Sequence, residues 1–103
     1  MARPKSLTID GKKYTVLYFE NMRDVDPSGE EMLWGLCNST TREIRVFDGL
    51  DETDVLDTII HEGQHTIFNE RPALKALIGD NEEAFVGEHS SAVVDMLRRN
   101  KLI

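Results

Sequence analysis

The sequence predicts an α+β fold in which about four antiparallel strands come first and helices follow on one face of the sheet. Three observations carry this expectation. Apolar and polar residues alternate around two turn sequences in the first half, helical periodicity takes over after Asp51, and a second helical segment follows Gly79. With 103 residues, 40% hydrophobic content and no linker or repeat, residues 1–103 read as a single domain with one modest core.

Leu7-Thr8-Ile9 and the run from Tyr14 to Phe19 flank Asp10-Gly11, a pair suited to a two-residue hairpin turn. Residues 20–31 are polar and carry Asp26-Pro27-Ser28-Gly29, which predicts a loop. Its Asp24, Asp26, Glu30 and Glu31 lack the spacing and helix pair of a calcium loop, so they are expected to be solvated. A second hairpin joins Leu33 to Cys37 with Glu43 to Phe47 through Asn38-Ser39-Thr40-Thr41. Asp51 then caps a helix whose first turns carry Glu52, Asp54 and Asp57, matching its positive end, while Leu56, Ile59, Ile60, Gly63 and Ile67 recur along one side. Arg71-Pro72 followed by Ala73 to Ile78 suggests an extra helical turn. Asp80 and Glu83 read as a capping box opening the last helix, on which Phe85, Val86, His89, Ala92, Val93, Met96 and Leu97 trace an apolar arc.

The stretch His61-Glu62-Gly63-Gln64-His65 lies on the first of these long helices. An i, i+4 pair differs by only about 40° around the helix, so both imidazoles converge on one side, with a carboxylate beside them. That is the arrangement which holds a zinc ion and the base that activates its water. Average residue usage yields such a pattern in only about a few per thousand chains of this length, so chance decoration of a helix is the weaker reading. His61 and His65 fall at the margin of the apolar stripe, where a metal is anchored and still meets solvent.

A catalytic zinc takes three protein ligands and keeps an open position. The last helix offers three candidates for the third. Glu83 lies at the edge of the apolar arc, where it can meet the histidines across the seam between two helices; as the glutamate of a capping box it would instead bond the backbone. Glu82 points near the middle of the arc. His89, on the apolar face, suits a group that orients a ligand as much as a ligand itself.

Together, Trp34-Gly35-Leu36-Cys37, Thr41 to Val46, Leu56 to His65, and Glu82-Glu83-Ala84-Phe85-Val86 with its amphipathic helix resemble the minimal gluzincin-type metallopeptidase domain of small bacteriophage and bacterial proteins. The resemblance extends from about Leu7 onward and implies a zincin-like fold. It implies His61, His65 and Glu83 as zinc ligands and Glu62 as general base; Glu83 stands three residues before Val86, as the family's ligand does before its valine. The chain departs from the pattern at Gly63, where the family has a bulky apolar residue, and in the longer segment between Asn69 and Asp80. Close approach of another backbone would explain Gly63.

The formal net charge of −7, with scattered Lys and Arg, argues against nucleic-acid binding. A lone cysteine, Cys37, excludes an internal disulfide and fits a buried packing position in a reducing compartment. No apolar run is long enough for a membrane helix, and Met1-Ala2-Arg3-Pro4-Lys5 lacks the apolar core of a secretion signal, so a cytoplasmic protein of a bacterium or an infected host is expected.

The expected activity is peptide hydrolysis by metal-activated water with Glu62 as base. A peptide would bind extended along an edge strand, for which Glu43 to Phe47 is the candidate. Larger metallopeptidases supply a His, Tyr or Arg to the oxyanion from a further domain; Tyr14, Tyr18 and Arg71 are the candidates here, each with a simpler structural reading. Two alternatives stand beside the enzyme: a non-catalytic zinc-binding interaction protein directed at a host, and a metal-free helical core carrying the motif by accident. An intact Glu62 favours the enzyme, because a purely structural site does not need it.

Overall fold

The computed structural model describes residues 3–103. Asp10 and Gly11 both take positive φ, 50° and 76°, so the chain reverses in two residues and pairs β1 (Ser6–Ile9) with β2 (Lys12–Phe19). A second antiparallel hairpin joins β3 (Gly35–Asn38) to β4 (Glu43–Phe47), and Asn38 Oδ1 closes its loop by accepting from the Thr40 and Thr41 amides. The hairpins meet at their second strands. Because β2 and β4 run the same way, the junction is parallel, and the sheet is mixed, in the order β1-β2-β4-β3, rather than wholly antiparallel as expected.

This order overturns one expectation. Glu43 to Phe47 lies inside the sheet, and the edges are β1 and β3. The central place of β4 shows in its burial, since Ile44 and Val46 are fully enclosed.

Residues facing the helices alternate along every strand, as a pleated sheet requires. Tyr14, Val16, Ile44 and Val46 pack with Ile9 and with Val55 and Ile59 of α2 (Glu52–Glu70) to form the core. Asp51 caps α2 as anticipated, its side chain accepting from the Asp54 amide at 2.8 Å. Glu70 pins the far end of α2 to β2, accepting from the Tyr14 hydroxyl and pairing with Lys12 at 2.6 Å. The opposite face of the sheet is partly covered by the segment expected to be a plain loop. It contains a one-turn helix, α1 (Met22–Val25), whose Val25 is fully buried and whose carbonyls at Asp24 and Val25 accept from the Arg45 guanidinium.

After α2 come α3 (Pro72–Ile78), a 3-10 turn (Gly79–Asn81) and α4 (Glu82–Arg99). The capping box does not form: α4 starts after Asn81 without any side-chain cap, which releases Glu83. Its buried residues are Val86, Ser90 and Val94, so the packed face is turned away from the predicted arc; Phe85 and Met96 are 41% and 51% exposed. Ser90 makes that turn possible, since its hydroxyl is satisfied within the helix by the Val86 carbonyl at 2.7 Å. No helix among the described residues is long and apolar enough to cross a membrane.

Candidate metal centre

α2 and α4 lie against each other, and the seam between them brings three predicted residues together. His61 Nε2 sits 3.2 Å from Glu83 Oε1, and His65 Nε2 sits 2.8 Å from Glu83 Oε2. One potential ligand atom from each residue lies within 4.8 Å of the others. A tetrahedral zinc with ligands about 2.0–2.1 Å away holds them roughly 3.3 Å apart, a spacing close to the two contacts that Glu83 makes through its separate oxygens. The donor set of two imidazoles and one carboxylate also suits zinc.

Glu82 has a different place from its neighbour. Its Oε2 accepts from His65 Nδ1 at 2.6 Å, on the far side of the ring from Glu83, and its Oε1 is 2.6 Å from Lys75 Nζ. Burial alone would push the Glu82 carboxyl up, but Lys75 and His65 outweigh it and hold it below the usual range. Glu82 therefore partners His65 and stands outside the cluster. His89 is exposed, stacks on Phe85 with ring centroids 4.8 Å apart, and accepts from the Gln64 amide at 2.9 Å. It does not join the cluster.

Glu62 points from α2 over the edge strand. Gly35 permits this: a Cβ there would fall 2.6 Å from Thr58 Cγ2 and 3.0 Å from Glu62 Cγ. The tryptophan-glycine strand thus has a local physical reason. Burial pushes the Glu62 carboxyl up, partly opposed by His61 and His65. Cys37, next on the same face of β3, is likewise pushed up, to about 11, by burial and then by the charge of Glu62. Its half-buried side chain packs against the core while bordering the cleft. Gly63, by contrast, has no crowded neighbour, since a Cβ there would meet only Leu7 Cδ1 at 3.8 Å. Close approach of a backbone does not explain it.

The histidines, Glu62 and Glu83 form one wall of an open cleft of about 560 Å³, and Leu33, Trp34, Gly35, Leu36 and Cys37 form the other. Trp34 is 51% exposed at its mouth. Further carboxylates, Glu31 and Asp57, line the cleft, and among the described residues no Lys or Arg does. The three oxyanion candidates are engaged elsewhere. The Tyr14 hydroxyl donates to Glu70, that of Tyr18 to the Pro4 carbonyl at 2.6 Å, and Arg71 makes a two-point pair with Asp10 at 2.6 and 2.8 Å. Asp26 of the acidic loop is engaged within the loop, accepting from the Ser28 and Glu31 amides and the Ser28 hydroxyl.

No family model, no curated protein and no solved structure matches the chain.

Proposed function

We propose that the chain is a minimal gluzincin-type metallopeptidase whose zinc is held by His61, His65 and Glu83, with Glu62 as general base. The observation that carries this reading is the convergence of both Nε2 atoms on the Glu83 carboxylate inside a cleft that Glu62 also lines. A zinc ion bound there supplies a Lewis acid for the carbonyl and lowers the pKa of water. Glu62 accepts a proton as the water oxygen bonds to the peptide carbonyl carbon, and returns it to the amine nitrogen as the C–N bond breaks. Its burial against Gly35 and Cys37 supports this role by favouring a carboxyl that exchanges protons nearer neutral pH.

The substrate would be a peptide extended beside β3, the edge strand that borders the cleft, by strand addition. Glu31 and Asp57 favour cationic side chains near the scissile bond, and Trp34 offers an aromatic face to them. The action would take place in the cytoplasm of a bacterium or an infected host.

A second reading, a non-catalytic zinc-binding interaction protein, is favoured by one observation: no free Tyr, Arg or Lys among the described residues lines the cleft to meet an oxyanion. Loss of one such donor costs roughly 10²–10³ in turnover, so slow or selective proteolysis is expected of the enzyme. Cleavage of casein and an unbiased peptide library by zinc-loaded protein decides between the two, with Glu62→Gln as blank. Selective cuts near Lys or Arg, absent from the blank, support the enzyme; zinc binding without cleavage of any peptide supports the interaction protein.

A further inference from the structure

We propose that Lys75 and Glu82 form a positioning relay that fixes His65 as a ligand, so that the short helix α3 sets how tightly the centre holds its metal. The inference rests on the zinc reading above and adds a part of the chain with no place in it. A carboxylate only accepts hydrogen bonds, so the 2.6 Å contact between Glu82 Oε2 and His65 Nδ1 places the ring proton on Nδ1. Nε2, 2.8 Å from Glu83 Oε2, is then the ring nitrogen aimed at the cluster. An outer partner of this kind fixes the tautomer and ring angle of a ligating imidazole and raises its basicity.

Lys75 completes the arrangement. The Glu82 side chain is only 13% exposed, and its Oε1 is closed off from solvent without a well-aligned hydrogen bond. A carboxylate so covered is costly unless its charge is paired. The ammonium of Lys75, 2.6 Å away, supplies that pairing and holds the Glu82 side chain in place beside His65. Lys75 comes from α3, in which every residue except Ile78 is exposed. Little burial anchors this helix. It is tied instead by polar contacts, Lys75 to Glu82 and to Asn69 Oδ1, and Arg71 to Asp10. Displacing α3 thus leaves Glu82 unpaired and His65 less firmly aimed. The extra helical turn between Asn69 and Asp80 becomes a control point for the metal and not a filler of space.

The test measures zinc affinity by competition with a chromophoric chelator at pH 7, together with imidazole ¹⁵N shifts of the zinc-loaded protein. The unaltered protein is expected to show His65 bound to the metal through Nε2 and protonated on Nδ1. Glu82→Ala should weaken zinc binding by roughly 10- to 100-fold and move the Nδ1 shift. Lys75→Met should weaken it by about tenfold, Lys75→Arg should restore most of that, and Lys13→Met, on an exposed part of β2, should change nothing. Circular dichroism shows that each variant is folded. Folded Glu82→Ala and Lys75→Met proteins that keep full affinity, and a Glu82→Ala protein that keeps the Nδ1 shift, would overturn the relay. Unaltered protein that fails to bind zinc would instead overturn the metal reading and the affinity claim with it.

Discussion

Glu62 lies against the bare Cα of Gly35, so close that a Cβ on Gly35 would stand 3.0 Å from Glu62 Cγ and 3.2 Å from its Oε2. Strand β3 and helix α2 are fitted to one another at the residue proposed to carry the proton. The fit has little slack. Thr58, the other side chain a Cβ would strike, is held by its hydroxyl on the Asp54 carbonyl at 2.7 Å.

Gly35→Ala should therefore destabilise the protein by about 1–3 kcal/mol and shift Glu62. Urea unfolding checks the first effect. Because Thr58 Cγ2 is the nearest atom, Thr58→Ser should recover part of the loss in the double variant. Additive losses would show that the crowding is not shared.

At Gly63 the opposite is expected. A side chain there meets only ordinary contact with Leu7, whereas glycine within a helix costs about 1 kcal/mol relative to alanine. Gly63→Ala should raise stability by about 0.5–1 kcal/mol and the melting temperature by a few degrees, with zinc binding intact. A fall in stability would reveal a constraint on this position that its neighbours do not show.

The half-buried Cys37 thiol implies a pH dependence of definite sign. The folded-state pKa of Cys37, about 11, lies above the value of about 8.5 for an unfolded thiol, so the folded chain binds more protons in between. The contribution of Cys37 is fully present below about pH 8.5 and is lost as pH rises toward 11. Relative to Cys37→Ala, the native protein should lose stability between pH 8.5 and 10.5, measured by urea midpoints. Alkylation of native Cys37 at pH 8 should be slower than in urea by at least about a hundredfold.

Two substitutions on α4 separate its real packing face from its apparent one. Val86→Ala, at a fully buried position, should cost about 1.5–2.5 kcal/mol, and Met96→Ala, at a half-exposed one, less than about 1 kcal/mol. Equal costs would place the buried face where the apolar arc of the sequence has it.

The legible parts of the fold are those that local chemistry decides. Alternation gives the four strands, Asp10-Gly11 gives the first turn, and Asp51 gives the start of α2, because each signal acts over a few residues. Strand order is not of this kind: β4 became central through the path of the long connection from Phe19 to Gly35, which no local pattern encodes. The face of α4 was hidden for another reason. Ser90 is buried because its hydroxyl is satisfied by its own helix, while Phe85 and Met96 are left out, so apolarity and burial part company. At the cluster, the i, i+4 spacing sets His61 and His65 side by side, and the helix edge together with the family resemblance singles out Glu83. The role of Glu82 depends on Lys75, seven residues earlier and across a turn, and so becomes visible only in three dimensions.

The central claim, that His61, His65 and Glu83 hold one zinc, is tested most directly by anomalous diffraction from crystals grown with zinc, recorded on both sides of the zinc absorption edge. The predicted result is one strong peak bonded to Nε2 of both histidines and to a Glu83 oxygen at about 2.0–2.2 Å, with Glu62 unbonded to the ion. A peak bonded to Glu82 or His89 in place of Glu83, or no peak at the seam of α2 and α4 under saturating zinc, would contradict it.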